Sequence, residues 1–342
     1  MKESRDNSVS IAKAIAIMLM VLAHTQFSRS TSLYINMFHM PLFFFMAGYC
    51  FKEKYLLDTR KFVLQKIKGI YVPYVKWSLL FLVLHNIFFY LDIYSGEFGF
   101  NGLVSSLYSW NDFARRFMYI VTRMSGHEQL LGGYWFMKSL FFASLISFLT
   151  IKYVRKIVIG GGILLAVTFL LYVTNWSIPY FGIGARETFA SVFFVVGYTY
   201  KKYNMDWHNR PAIIPVIALL LVPSTMFWSA SLLDMDVVRL IPWGFTAVVG
   251  TLMVFATGKL LCRSKKRIQD LLVFIGDNTL DVLTWHFLSF KIVSLPLIWL
   301  YDLPQEQLGE FPTIECLSRQ GWWIAYFIIG LGLPLVWKMR KL

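Results

Sequence analysis

SIAKAIAIMLMVLAHT, residues 10–25, is an almost unbroken apolar run interrupted by two ionisable side chains, Lys13 and His24. A straight helical crossing of a bilayer needs about 20 such residues, each rising ~1.5 Å. The run belongs to a series of comparable segments at 9–27, 33–51, 71–91, 134–151, 157–174, 187–200, 211–228, 239–258, 272–300 and 322–338. The sixth is only 14 residues long and opens on Glu187, while the ninth is long and broken by Pro296. The apolar stretches are continuous rather than alternating. A lipid-facing sheet would need alternation and closure into a barrel, so strands are excluded. The expectation is an all-α, polytopic integral membrane helical bundle of about ten transmembrane helices, forming a single domain over residues 1–342.

Composition agrees. Of 342 residues, 57% are hydrophobic and only 15% charged, against about 25% charged in soluble domains, and the mean hydropathy is +0.57. So little charge cannot cover a water-facing surface of ordinary size, which excludes a soluble globular enzyme. MKESRDNS leads straight into the first span with no small-residue cleavage site after it, so a retained helix is expected rather than a signal peptide. Of the 33 Lys and Arg, 22 fall in the N-terminal tail and in 51–70, 152–156, 201–210, 259–270 and 338–342. Only six lie on the alternate side: Arg29, Arg115, Arg116, Arg123, Arg186 and Arg319. The positive-inside rule then places both termini in the cytoplasm. It also accounts for the net charge of +14 as topology and contact with membrane lipids, with no nucleic-acid partner. Three cysteines are too few and too scattered for a disulfide framework or a cysteine-based zinc site. A metal site on histidines and acids is not excluded by that count, but none is assigned.

Ionisable residues inside spans are costly and point to function. Lys13 and His24 are 11 residues apart, hence on nearly the same face and about 16 Å apart along the axis. His24 can take a proton from a hydroxyl near working pH, or can be only hydrogen-bonded in the packed bundle. Lys13 can hold an anion or a thioester carbonyl, or can simply snorkel. Asn36 and His39 are expected to share a face of the second span, where His39 orients a polar group or serves as an interfacial histidine. Lys66 and Lys68 close a basic stretch, 52–68, able to bind the phosphates of a nucleotide-containing donor, although topology alone would also put positive charge there. Tyr134 and Trp135 can stack on a sugar or form part of an aromatic belt. Arg186 and Glu187 are placed to pair. In IGDNTLDVLTWHF, residues 275–287, Asn278, Asp281 and Trp285 form one stripe, with His286 beyond them as a contributor to a site or as a structural partner. His85, His127 and His208 have no compelling partner in the sequence. FARRFMYIVTRM, in the long connection 92–133, is amphipathic.

The segments 10–25, FHMPLFFFMAGYCF at 38–51, KIKGIYVPY at 66–74, GGYWFMKSLF at 132–141 and 275–287, in this order, resemble the membrane-bound acyltransferase-3 family, in particular its fucose 4-O-acetylase and polysaccharide O-acetyltransferase branch. The resemblance covers nearly the whole chain. It implies an O-acyltransferase that moves an acyl group, commonly acetyl from cytoplasmic acetyl-CoA, to a hydroxyl of a cell-envelope glycan or lipid-linked sugar. No tightly bound cofactor is implied, and acetyl-CoA or another acyl-CoA is the donor substrate. The family's first helix commonly carries an arginine, ten intervening residues and a histidine. The match gives His24 and puts Lys13 at the arginine position, where the charge is kept and the planar fork is lost.

On this reading His24 is the base and Lys13 assists the donor. Lys66 and Lys68 bind it, and Asn36, His39, Tyr134, Trp135 and His286 face the acceptor. The expected location is the bacterial cytoplasmic (inner) membrane. Two other readings fit the same polar residues: a transporter or flippase for a lipid-linked glycan, and a membrane scaffold among glycan-synthesis proteins.

Overall fold

The computed structural model describes residues 6–99 and 106–339. Lys2, Arg5, Arg340 and Lys341, counted above among the inner basic residues, lie outside the described residues. Among the described residues all regular elements are helical, apart from one isolated bridge between Ile178 and Ile183. The chain is a multi-span membrane helical bundle. Among the described residues, six helices are long and apolar enough to cross a bilayer. They are α1 (Asn7–His24), the rod made of α4 (Thr59–Lys66) and α5 (Val72–Tyr90), α7 (Trp135–Tyr153) with the turn before it, α8 (Ile157–Thr174), α11 (Leu240–Leu261) and α13 (Thr279–Leu300).

Helices stand at the other expected places too, but shorter, broken or more polar. The second expected span is two helices, α2 (Arg29–Asn36) and α3 (His39–Tyr49). Asn36 and His39 therefore do not share one helical face. The restart sits just before Pro41, which lacks an N–H and is best accommodated in a first helical turn. The sixth, α9 (Ala185–Lys202), is longer than expected, and the seventh, α10 (Ile213–Trp228), is a 16-residue helix. The ninth breaks at Asn278, between α12 (Lys266–Asp277) and α13, and Pro296 lies inside α13. Asn278 turns its amide back to donate to the Phe274 carbonyl at 2.8 Å, a local bond that competes with helix continuation. The tenth is α15 (Trp323–Met339), after the single-turn α14 (Glu315–Leu317).

The basic stretch 52–68 runs through a short 3-10 turn, Glu53–Leu56, into α4. α4 passes into α5 through a π-turn, Ile67–Tyr71, forming a helical stretch of 32 residues. Its 32 residues exceed the about 20 that a straight crossing needs. Pro73, in the first turn of α5, explains the π-turn, because the missing N–H cannot complete an α ladder. Lys66 and Lys68 thus ride on the rod itself.

Contacts divide the chain into two compact units. The first comprises Met1–Leu19, Leu33–Ile70 and Ser139–Thr279. Its tightest pairing is α3 on α9. A Cβ added at Gly48 would lie 1.8 Å from the Phe194 carbonyl oxygen, and one at Gly197 would lie 2.0 Å from that of Phe45. Two glycines therefore let two backbones touch, the device that packs membrane helices where no hydrophobic force distinguishes helix from lipid. Phe51, Phe62, Phe148, Phe194 and Tyr198 fill the adjoining core. Glu187, in the first turn of α9, is buried, accepting from Ser139 Oγ at 2.8 Å, Gly184 N at 3.0 Å and Arg186 Nε at 3.0 Å, so the Arg186–Glu187 pairing is present.

The second unit comprises Met20–Ser32, Tyr71–Lys138 and Leu280–Leu342. The amphipathic stretch forms α6 (Trp110–Arg123), which is opened by a Ser109–Asp112 capping box and packs on α5, where Tyr71 donates to the Val121 carbonyl at 2.6 Å.

Candidate active site

α1 ends at His24 because Gln26 turns into the left-handed region (φ 59°) and Ser28 caps α2, accepting from Thr31 N. This leaves His24 half-buried at a helix terminus. Its Nδ1 lies 3.1 Å from Nε2 of His286 on α13. His286 is fully buried, and its Nδ1 donates to the carbonyls of Val282 at 2.9 Å and Leu283 at 3.1 Å. Phe287 covers both rings, with centroids 4.8 Å from His24 and 3.9 Å from His286.

The acidic connection after α13 folds onto the same place. Phe311 packs on Phe287 at 4.6 Å, and Thr313 donates towards the Thr25 carbonyl at 3.3 Å and to Gln26 Oε1 at 3.0 Å. Ser318 also donates to the Thr25 carbonyl. Lys291, buried on α13, donates to the Glu310 carbonyl at 2.5 Å. Irregular backbone of this kind is tolerated inside a membrane protein only where protein covers it. Thr313, Ile314 and Ser318 are buried.

Sequence grouped His286 with the acceptor residues. In the structure both its nitrogens have protein partners and the ring is sealed, so it partners His24 instead. Tyr134 is likewise buried. Thr284 Oγ1 donates to the Leu280 carbonyl at 2.7 Å, so the Tyr134 hydroxyl donates to Thr284, also at 2.7 Å. Its ring packs on Tyr74 at 5.6 Å. Trp135, the next residue, is half-buried. In the first unit Asn36 is half-buried, and His39 is buried with Nδ1 donating to the Ile35 carbonyl at 2.9 Å.

The basic residues also converge in part. Lys13, Lys66 and Lys201 all lie within electrostatic reach of Cys50 at the end of α3, as does Asp6. Lys66 sits over the rings of Phe62 at 5.3 Å and Phe194 at 6.0 Å. Lys68 is exposed and lines a shallow groove of about 410 Å³ with Asp58, Arg60 and Lys61. Lys13, Lys66 and Lys201 thus each act on the one thiol, together with Asp6, while Lys68 lies in the exposed groove.

Sequence reasoning missed three groups. Lys201 enters the sequence reading only as one of the basic residues of 201–210, and Lys291 is given no role there. His85 had no partner, yet its Nδ1 is 2.8 Å from Glu128 Oε2 and its Nε2 is 3.1 Å from the Ser106 carbonyl, with both side chains sealed. Glu128 is 43 residues away, too far for any local spacing rule. Among the described residues, no group of three or more His, Cys, Asp or Glu could hold a metal ion.

A bundle of apolar helices that brings the half-buried His24 against the sealed His286 is a multi-span membrane protein with two ionisable rings paired inside it. The chain belongs to the acyltransferase-3 family, whose model, described as an acyltransferase domain, matches residues 6–337. It is a membrane-bound acyltransferase. No curated protein and no solved structure matches it.

Proposed function

We propose that this protein transfers acetyl from cytoplasmic acetyl-CoA to a hydroxyl of a cell-envelope glycan or lipid-linked sugar, with His24 as general base. The observation that carries the reading is His24 itself: a half-buried histidine at a helix end whose Nδ1 is held by a second, sealed histidine. As the acceptor oxygen bonds the thioester carbonyl carbon, its proton passes to His24. The carbon–sulfur bond then breaks, and the CoA thiolate recovers that proton.

Lys13 and Lys66 are read as donor contacts because, with Lys201, they gather positive charge suited to the phosphates of CoA. Lys68 is a weaker donor contact on the neighbouring surface. Trp135 is kept for the acceptor, and Asn36 and His39 are separate acceptor candidates. The single domain over 1–342, ten spans, cytoplasmic termini and the bacterial inner membrane complete the reading. Its support is the charge asymmetry between alternate connections.

The test is purified protein reconstituted with acetyl-CoA and envelope glycan. Time-dependent CoA release matched by an acetylated glycan is expected. Glycan movement across the vesicle without modification would instead identify a transporter.

A further inference from the structure

The two histidines are not equivalent. His286 is fully buried and lies within hydrogen-bond distance of three groups. Two of these are the carbonyl oxygens of Val282 and Leu283, both facing Nδ1. A carbonyl can only accept, so the proton of a neutral His286 is on Nδ1 and its Nε2 carries a lone pair. That lone pair faces His24 Nδ1 at 3.1 Å. The hydrogen bond between the rings then requires the proton on His24 Nδ1, which leaves the lone pair of a neutral His24 on Nε2. Helix α13 supplies this bias through its own backbone: residues 282 and 283 precede His286 by four and three positions, where helical carbonyls face a side chain folded back along the axis.

We propose that His286 is a positioning residue that fixes His24 in the Nδ1–H tautomer and so makes Nε2 the nitrogen that takes the acceptor's proton. The inference rests on the reading of His24 as base. It gives the buried ring the orienting part that a third group plays in other nucleophile–base arrangements, here with a neutral imidazole in place of a carboxylate. When His24 becomes an imidazolium during attack, its Nδ1–H stays directed at His286 Nε2. The positive charge therefore develops against an accepting nitrogen rather than against apolar side chains.

The experiment uses the full chain, purified in detergent with ¹⁵N-labelled histidine, and reads His24 nitrogen shifts alongside turnover. The His24 signals are assigned by their loss in His24→Ala. In the wild type the Nδ1–H tautomer is expected. In His286→Ala the signals should move towards the Nε2–H form that free imidazole side chains favour in water. Turnover should fall about 100-fold, the usual reach of a positioned acid–base group, with donor KM unchanged. His286→Gln can place an accepting oxygen near the lost Nε2 and should restore part of both readouts, while the shorter His286→Asn should not. Should the alanine variant fail to fold, the Gln and Asn pair carries the same comparison.

An unchanged Nδ1–H signal in His286→Ala, or in His286→Asn if alanine does not fold, overturns the proposal whatever the turnover. Full turnover in His24→Ala sinks the general-base reading and, with it, the catalytic half of this inference. A tautomer shift in the same series would still show that His286 controls His24.

Discussion

Glu128 Oε2 lies 2.8 Å from His85 Nδ1, and neither side chain exposes any surface. Tyr108 stacks on the His85 ring with 3.3 Å between centroids, and Arg116 caps Tyr108 from 4.4 Å. The pair thus ties α5 to the connection that carries α6 and to the turn before α7. Removing one partner of a buried pair leaves the other without compensation and costs about 3–5 kcal/mol. Glu128→Ala should therefore lower the thermal transition in detergent markedly, whereas Arg186→Ala, at a more exposed partner, should lower it less. Equal transitions for Glu128→Ala and wild type would show that the pair contributes little.

Backbone contact between α3 and α9 leaves no room at Gly48 or Gly197. A single added methyl meets a carbonyl oxygen, and unlike a side chain the backbone cannot turn aside. Gly48→Ala and Gly197→Ala should each cost more than the ~1–3 kcal/mol of ordinary overpacking. Protease resistance and monodispersity after extraction are the measurements. Gly69 and Gly332, whose added methyls meet nothing, are the controls expected to behave like wild type.

His24→Ala should insert and bind acyl-CoA yet lose turnover by at least about 100-fold. CoA release in the presence of acceptor, normalised to folded protein, reads this. A correctly inserted mutant that turns over at the wild-type rate would remove His24 from the chemistry.

Neutralising the lysines should separate them. Lys66→Gln and Lys13→Met should weaken acyl-CoA binding several-fold, and Lys68→Gln should do so less, because Lys66 and Lys13 both act on the thiol of Cys50 while Lys68 faces a surface groove. Direct donor binding at two salt concentrations is the measurement, since screened surface charge loses its effect first. Equal, unchanged affinities would return all three lysines to a topological role.

The native cysteines test the topology without added probes. Cys50 and Cys316 are exposed, and with cytoplasmic termini they fall on opposite sides of the membrane. A membrane-impermeant maleimide applied to intact cells should label Cys316 and spare Cys50. In inverted vesicles the reverse is expected. Labelling of both from outside would overturn the ten-span arrangement.

Much of this protein was legible one residue at a time. Hydropathy located helices at every expected place, because in a bilayer each segment must satisfy its own backbone and so advertises itself locally. Lys13 and His24 could be named from helical spacing on α1, and Arg186–Glu187 from adjacency. The breaks were harder to read. Pro296 looked like the interruption in the ninth span, yet the chain breaks at Asn278, where the amide bonds back to the Phe274 carbonyl.

Partnership across the chain was decided only by the fold. His24 and His286 are 262 residues apart, and Thr25 and Ser318 are 293 apart. No periodicity encodes such pairs, because nothing about a histidine's own helix says which helix it will meet. Sequence could therefore nominate His286 as functional on grounds of cost in the membrane, but assigned it to the acceptor. Packing buried its ring, turned Nδ1 onto two carbonyls and aimed Nε2 at His24. Local chemistry determined which residues were too polar to be idle, and the tertiary arrangement of helices determined what each of them touches.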